Sequence, residues 1–149
     1  MFAKDIYISR RRSLCDKVGS GIILLPGNTD SPMNYPENMY LFRQNSHFIY
    51  FVGFDIPELF VAIDADTRET ILFANELTID DIIWTGPKES YKEIAEKSGI
   101  EVVKPVNQLD AFVKNAIKKN REIHFLPPYR MDTTVSLSEL TGIPHREIK

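Results

Sequence analysis

The residues best equipped for chemistry in this 149-residue chain form one polar block, Arg43-Gln44-Asn45-Ser46-His47, set directly against the aromatic run Phe48-Ile49-Tyr50-Phe51. A planar guanidinium beside two carboxamides suits a carboxylate, because the arginine fork meets two oxygens at once. Three acids near in sequence, Asp30, Glu37 and Glu58, could supply that carboxylate within the domain. Arg43 therefore reads either as half of a structural ion pair, the simpler account, or as one wall of a site. Trp84, the only tryptophan, follows two isoleucines and precedes Thr85-Gly86-Pro87. That places an amphipathic ring at the edge of an element, where it serves core packing or faces a substrate or partner.

The other candidates read more plainly. Asp64 and Asp66 could chelate a hard cation, but they fall in an expected hairpin turn, where Asp bonds its own backbone. Asp80 and Asp81 are adjacent and on a helix cannot face one point, so stabilisation of a helix N-terminus is the simpler account. His47, His124 and His145 are scattered and read as structural or solvent-exposed side chains. Gly19-Ser20-Gly21 lacks the further glycines of a phosphate-binding loop or nucleophile elbow. From residue types and spacing, no catalytic group and no metal ligand is assigned.

The composition excludes several partners. A net charge of −3 and the absence of a basic patch argue against nucleic acid and anionic membrane. Arg10-Arg11-Arg12 is read as the solvated face of a helix. Cys15 is the single cysteine, so no internal disulfide forms and a reducing, cytoplasmic setting is expected. The opening MFAKDIYISRRR has no signal-peptide core, and no stretch approaches the 18 or so apolar residues of a membrane span.

Elements that must position these residues follow from periodicity. A helix is expected over Lys4 to Val18, with Ile6, Tyr7, Leu14, Cys15 and Val18 inward, stopped at Gly19. Ile22 to Leu25 reads as a buried strand and residues 28–39 as a long loop, a length that usually has a role. Phe42 to Phe54 reads as the central strand, apolar on both faces. Leu59 to Ile63 and Thr70 to Ala74 form a hairpin. A short helix or turn over 76–84, a helix over 90–98, a strand at 101–103 and a helix capped by Asn107 and ending near Lys119 come next. A strand at 122–126 and a short helix at 136–140 complete the order. This alternation predicts one α/β domain over residues 1–149, with parallel pairings in its second half.

The run Phe42-Arg43-Gln44-Asn45-Ser46-His47-Phe48-Ile49-Tyr50-Phe51-Val52-Gly53-Phe54, followed by Pro57-Glu58, resembles the signature of the N-terminal domain of Xaa-Pro aminopeptidases, the aminopeptidase P family. Related domains occur in prolidase and creatinase. Arg10-Arg11-Arg12 with Leu14, Leu72-Phe73, and Ile83-Trp84 with Gly86 extend the resemblance along the chain; His47 departs from the acidic residue often found at its position. The resemblance implies a creatinase/prolidase N-terminal domain fold, an α/β unit with a mixed sheet flanked by helices on both faces, without catalytic residues. Catalysis would belong to a C-terminal pita-bread domain absent from this chain, which holds two divalent ions, usually manganese, and removes the residue preceding proline. It further implies a homodimer or homotetramer, peptide substrates with proline second, and a fragment that is inactive alone. Trp84 would lie at the substrate edge or between subunits; Arg43, Gln44 and Asn45 would either fix the long preceding loop or face the absent catalytic domain, as further candidates for that edge. A prolidase-like dipeptidase and a free-standing binding or oligomerisation module are the alternatives.

Overall fold

The computed structural model describes residues 1–31, 33–34, 38–75 and 90–148. Five strands, β1 (Ile22–Pro26), β2 (Phe60–Asp64), β3 (Thr70–Phe73), β4 (Val102–Lys104) and β5 (Ile123–His124), form one sheet in the order β4-β3-β2-β1-β5. β1 and β3 flank β2 antiparallel, whereas β5 joins β1 and β4 joins β3 in parallel. Parallel neighbours need a crossover, and helices in the second half of the chain supply it. The described helices are α1 (Lys4–Val18), α2 (Ser46–Phe51), α3 (Tyr91–Lys97), α4 (Leu109–Lys118) and α5 (Met131–Thr141).

Strand alternation divides the core in two. Ile23, Leu25, Val61, Ile63 and Leu72 point to one face and pack with Cys15 of α1, Phe48 of α2 and Ala95 of α3. Ile22, Leu24, Phe60, Ala62, Ile71 and Phe73 point to the other, against Leu109, Val113 and Ala116 of α4 and Leu137 and Leu140 of α5. Both faces are thus covered, and the near-continuous apolar runs of β1 and β2 follow from that. The mixed, doubly covered sheet is the architecture that the family resemblance implies, and it agrees with the order of elements.

The aromatic run is not a strand. Ser46–Phe51 forms α2, and the middle of the sheet belongs to β2. Asn45 caps the helix, its side-chain oxygen accepting from the amides of His47 (2.9 Å) and Phe48 (3.4 Å). Phe48 and Val52, four apart, are buried, while Ile49 and Tyr50 are exposed. A cap and an i, i+4 apolar pair outweigh the strand preference of Phe, Ile and Tyr, which depends on having a sheet to join.

The basic run also departs from expectation. Arg11 is only 4% exposed. Its guanidinium donates to Phe51 O (2.9 Å), to Ser98 O (2.6 Å) and to Ser98 Oγ (2.9 Å), closing the C-terminal ends of α2 and α3 together. Carbonyls at helix ends are unpaired and partly negative, so one buried cation serves both. Burial pulls the guanidinium down to about 10, against a smaller opposing pull from the Cys15 thiol, and it stays charged at neutral pH. Arg10 donates to Tyr50 O (2.9 Å) and lies 4.0 Å from the centre of the Tyr50 ring. Arg12 alone fits a solvated face. Ile6, expected inward, is exposed, whereas Tyr7 and Cys15 are buried.

Smaller differences concern ends. Asn107 lies in a 3-10 turn, Val106–Gln108, that precedes α4, so it does not cap that helix. The tail helix is longer than expected, running from Met131 to a left-handed cap at Gly142. The element expected over 76–84, with Asp80, Asp81 and Trp84, lies outside the described residues.

Candidate functional site

The polar block divides once folded. Gln44 is buried, and its side-chain oxygen accepts from the amides of Asn28 (2.7 Å) and Asn45 (3.0 Å), while its Nε2 donates to Ile56 O (2.9 Å). Asn45 is the helix cap described above. Both carboxamides therefore hold backbone together, satisfying groups that burial would otherwise leave unpaired. Arg43 is different. Its side chain is exposed, and among the described residues it has no hydrogen-bond or ion-pair partner. No ion pair forms with Asp30 or Glu58, and Glu37 lies outside the described residues, as does Trp84.

Sequence reasoning missed Asn28, the residue around which this region is built. At 3% exposure it donates both amide hydrogens, one to Arg43 O (3.0 Å) and one to Tyr129 Oη (2.8 Å). Its own carbonyl accepts from the Glu58 amide (3.0 Å). Next to it, Thr29 Oγ1 donates to Asp132 Oδ2 (2.7 Å), Arg130 Nη1 donates to Thr29 O (3.0 Å), and Arg130 Nε donates to Asp132 Oδ1 (3.0 Å). Burial raises the Asp132 carboxyl, but the Thr29 hydroxyl and Arg130 outweigh it and leave the group below its ordinary range. The available signal was an Asn directly after the Pro26-Gly27 strand end, a position that favours side-chain bonding to backbone.

A cleft of about 560 Å³ opens beside Thr29, between the end of β1 and helices α4 and α5. Its floor includes Leu59, Phe60 and Leu109, and Glu58 and Glu139 stand at its rim. Asp110, also at the rim, is paired with Lys114 (2.6 Å). Among the described residues no three His, Cys, Asp or Glu side chains come together as a metal cage.

The Asp64 and Asp66 pair serves the hairpin turn, as expected. Asp64 Oδ1 accepts from the amides of Asp66 (3.0 Å) and Thr67 (3.2 Å). Arg121 then clamps both acids, its Nη1 and Nη2 reaching Asp64 at 3.0 and 2.7 Å and its Nη2 reaching Asp66 at 2.6 Å. Burial raises the Asp64 carboxyl, but bonds from Arg121 and the turn amides more than reverse this, so it lies below its ordinary value. A carboxyl held low when folded adds stability at pH above its unfolded value, about 3.9. That increment disappears as pH falls through the lower folded value. Arg121→Met should cost about 1 to 2 kcal/mol at neutral pH. It should also flatten the acid limb of a stability-versus-pH curve measured by urea unfolding; an unchanged limb would remove the clamp from this account.

Residues 7–124 match the family profile described as aminopeptidase P, N-terminal domain. The chain belongs to that family. Among relatives of the aminopeptidase P domain, a probable Xaa-Pro aminopeptidase of Uncinocarpus reesii is 27% identical over 113 residues, covering 73% of this chain and 24% of the relative. The structure of Pseudomonas aeruginosa aminopeptidase PepP superposes with a TM-score of 0.78 at 22% identity, over 93% of this chain and 32% of that one. Zinc-substituted Escherichia coli aminopeptidase P in complex with product gives a TM-score of 0.74 at 18% identity, with the same coverage. At such identities the structural likeness speaks for the fold. The chain spans about a quarter of the length of the curated relatives it matches.

Proposed function

We propose that this chain is the non-catalytic N-terminal domain of a cytoplasmic, metal-dependent Xaa-Pro aminopeptidase, a single domain serving oligomer assembly and substrate access. One observation carries the reading: the matched relatives are named Xaa-Pro aminopeptidases, and the match occupies about a quarter of their length. Bond cleavage is then the work of the other three quarters. The product complex of the zinc-substituted Escherichia coli enzyme supports metal dependence. The described residues offer no ligand set, so the two divalent ions, manganese in the usual family form, are assigned to the catalytic half.

Within this reading Arg43 faces the catalytic half of its own chain or of a partner subunit, where an acidic group or substrate carboxylate would meet its fork. Gln44 and Asn45 act indirectly, by fixing the backbone that carries it. Trp84 is assigned to the same edge on its sequence position alone.

The test uses the full-length parent loaded with manganese. It should cleave peptides with proline second; activity confined to Xaa-Pro dipeptides would indicate a prolidase-like enzyme, and activity on neither would overturn the reading. This chain alone should neither cleave these peptides nor retain stoichiometric manganese. Arg43→Ala and Trp84→Ala should each raise KM or weaken assembly in the parent, while unchanged hydrolysis and oligomer mass would withdraw the residue concerned.

A further inference from the structure

The bonds around Asn28 have an arrangement that core packing does not require. Residues 28 and 43 stand at the two ends of the stretch that holds the long loop expected from the sequence, and Asn28 joins them directly through its bond to Arg43 O. The same amide nitrogen reaches Tyr129, 101 positions away in sequence. Tyr129 is 70% exposed, so its ring contributes little to the core and its hydroxyl is its main tie to the fold. One residue further along, Arg130 and Asp132 grip Thr29. The segment leading into α5 thus holds the first of these ends, and Asn28 and Gln44 pass that constraint to the backbone of Arg43. The side chain delivered by all this is the one guanidinium of the block with no partner among the described residues.

We propose that Tyr129 and Asn28 form a latch that sets the position from which Arg43 is presented, making both positioning residues for the surface Arg43 serves. The functional part rests on the reading of Arg43 in the preceding subsection. The mechanical part does not. A long arginine side chain on an untethered loop samples many positions, and tethering its carbonyl removes that freedom before any partner arrives.

Tyr129→Phe removes only the hydroxyl at an exposed site, so folding should survive it. In this chain, amide hydrogen exchange at residues 28–31 and 38–45 should rise by up to about tenfold, the factor expected for losing one hydrogen bond of ordinary net strength. Exchange in β1, β2 and β3 should not change. In the full-length parent, Tyr129→Phe should raise KM in the same direction as Arg43→Ala with little change in kcat. The double variant should be no worse than Arg43→Ala alone, the signature of two residues acting through one contact. Unchanged loop exchange, or additive kinetic effects, would overturn the latch. If Arg43→Ala leaves KM and assembly untouched, the interfacial reading of Arg43 falls, and the exchange measurement by itself decides whether the latch exists.

Discussion

Arg11→Met should lower the stability of this chain by about 3 kcal/mol in urea or guanidinium unfolding, a large share of the ~5 to 15 kcal/mol that domains possess. The substitution preserves most of the apolar stem but strips the donors from Phe51 O, Ser98 O and Ser98 Oγ. Each buried polar group left without a partner costs roughly 1 to 3 kcal/mol. Relaxation and entering water return part of that sum. Arg11→Lys should fall between, since an ammonium keeps the charge but cannot span two helix ends with a planar fork. Arg12→Ala is the control: its side chain is exposed, and the change should stay within about 0.5 kcal/mol. Equal losses at the two positions would mean that the two-helix clamp contributes nothing specific.

Gly53→Ala should destabilise to a similar degree, for a different reason. Gly53 closes the turn after α2 at φ +89°, a conformation that costs a side-chain-bearing residue roughly 1 to 2 kcal/mol. A methyl group there would also sit 2.5 Å from the ring of Tyr7, which is buried and cannot swing aside freely. Overpacking of that kind adds about 1 to 3 kcal/mol. Gly19 separates the two contributions, because it has nearly the same φ, +90°, with nothing within 4 Å of the added carbon. Gly19→Ala should therefore show the backbone cost alone, about 1 to 2 kcal/mol. If both alanine variants lose the same stability, the Tyr7 contact is not what keeps glycine in the aromatic motif.

These two residues also show where sequence reading stopped short. Arg11 lies four residues from both Tyr7 and Cys15, so the stripe of α1 that places those two inward placed it inward as well. The signal was present in the spacing, but arginine is so seldom buried that residue type overrode position. For Ser46–Phe51 the reverse happened. Four apolar or aromatic residues, Phe48 to Phe51, satisfied strand alternation and helix periodicity equally, and over so short a run periodicity cannot choose between them. Asn45 as cap and Gly53 as terminator were the deciding local signals.

By itself the sequence determined α1, β1, the hairpin of β2 and β3, and the later alternation of helix and strand, and through the motif from Phe42 to Phe54 it determined the family. These are properties of short windows, where periodicity, caps and turn residues act on their neighbours. Only the tertiary structure decided that β2 occupies the middle of the sheet and that Arg11 joins two helix ends 40 and 87 positions away. It alone separated Arg43, exposed and without a partner among the described residues, from Gln44 and Asn45, which hold backbone. It also revealed Asn28 and Tyr129 as partners. Each of those outcomes depends on pairing between distant segments, and the composition of either segment carries no record of which partner the fold will bring to it.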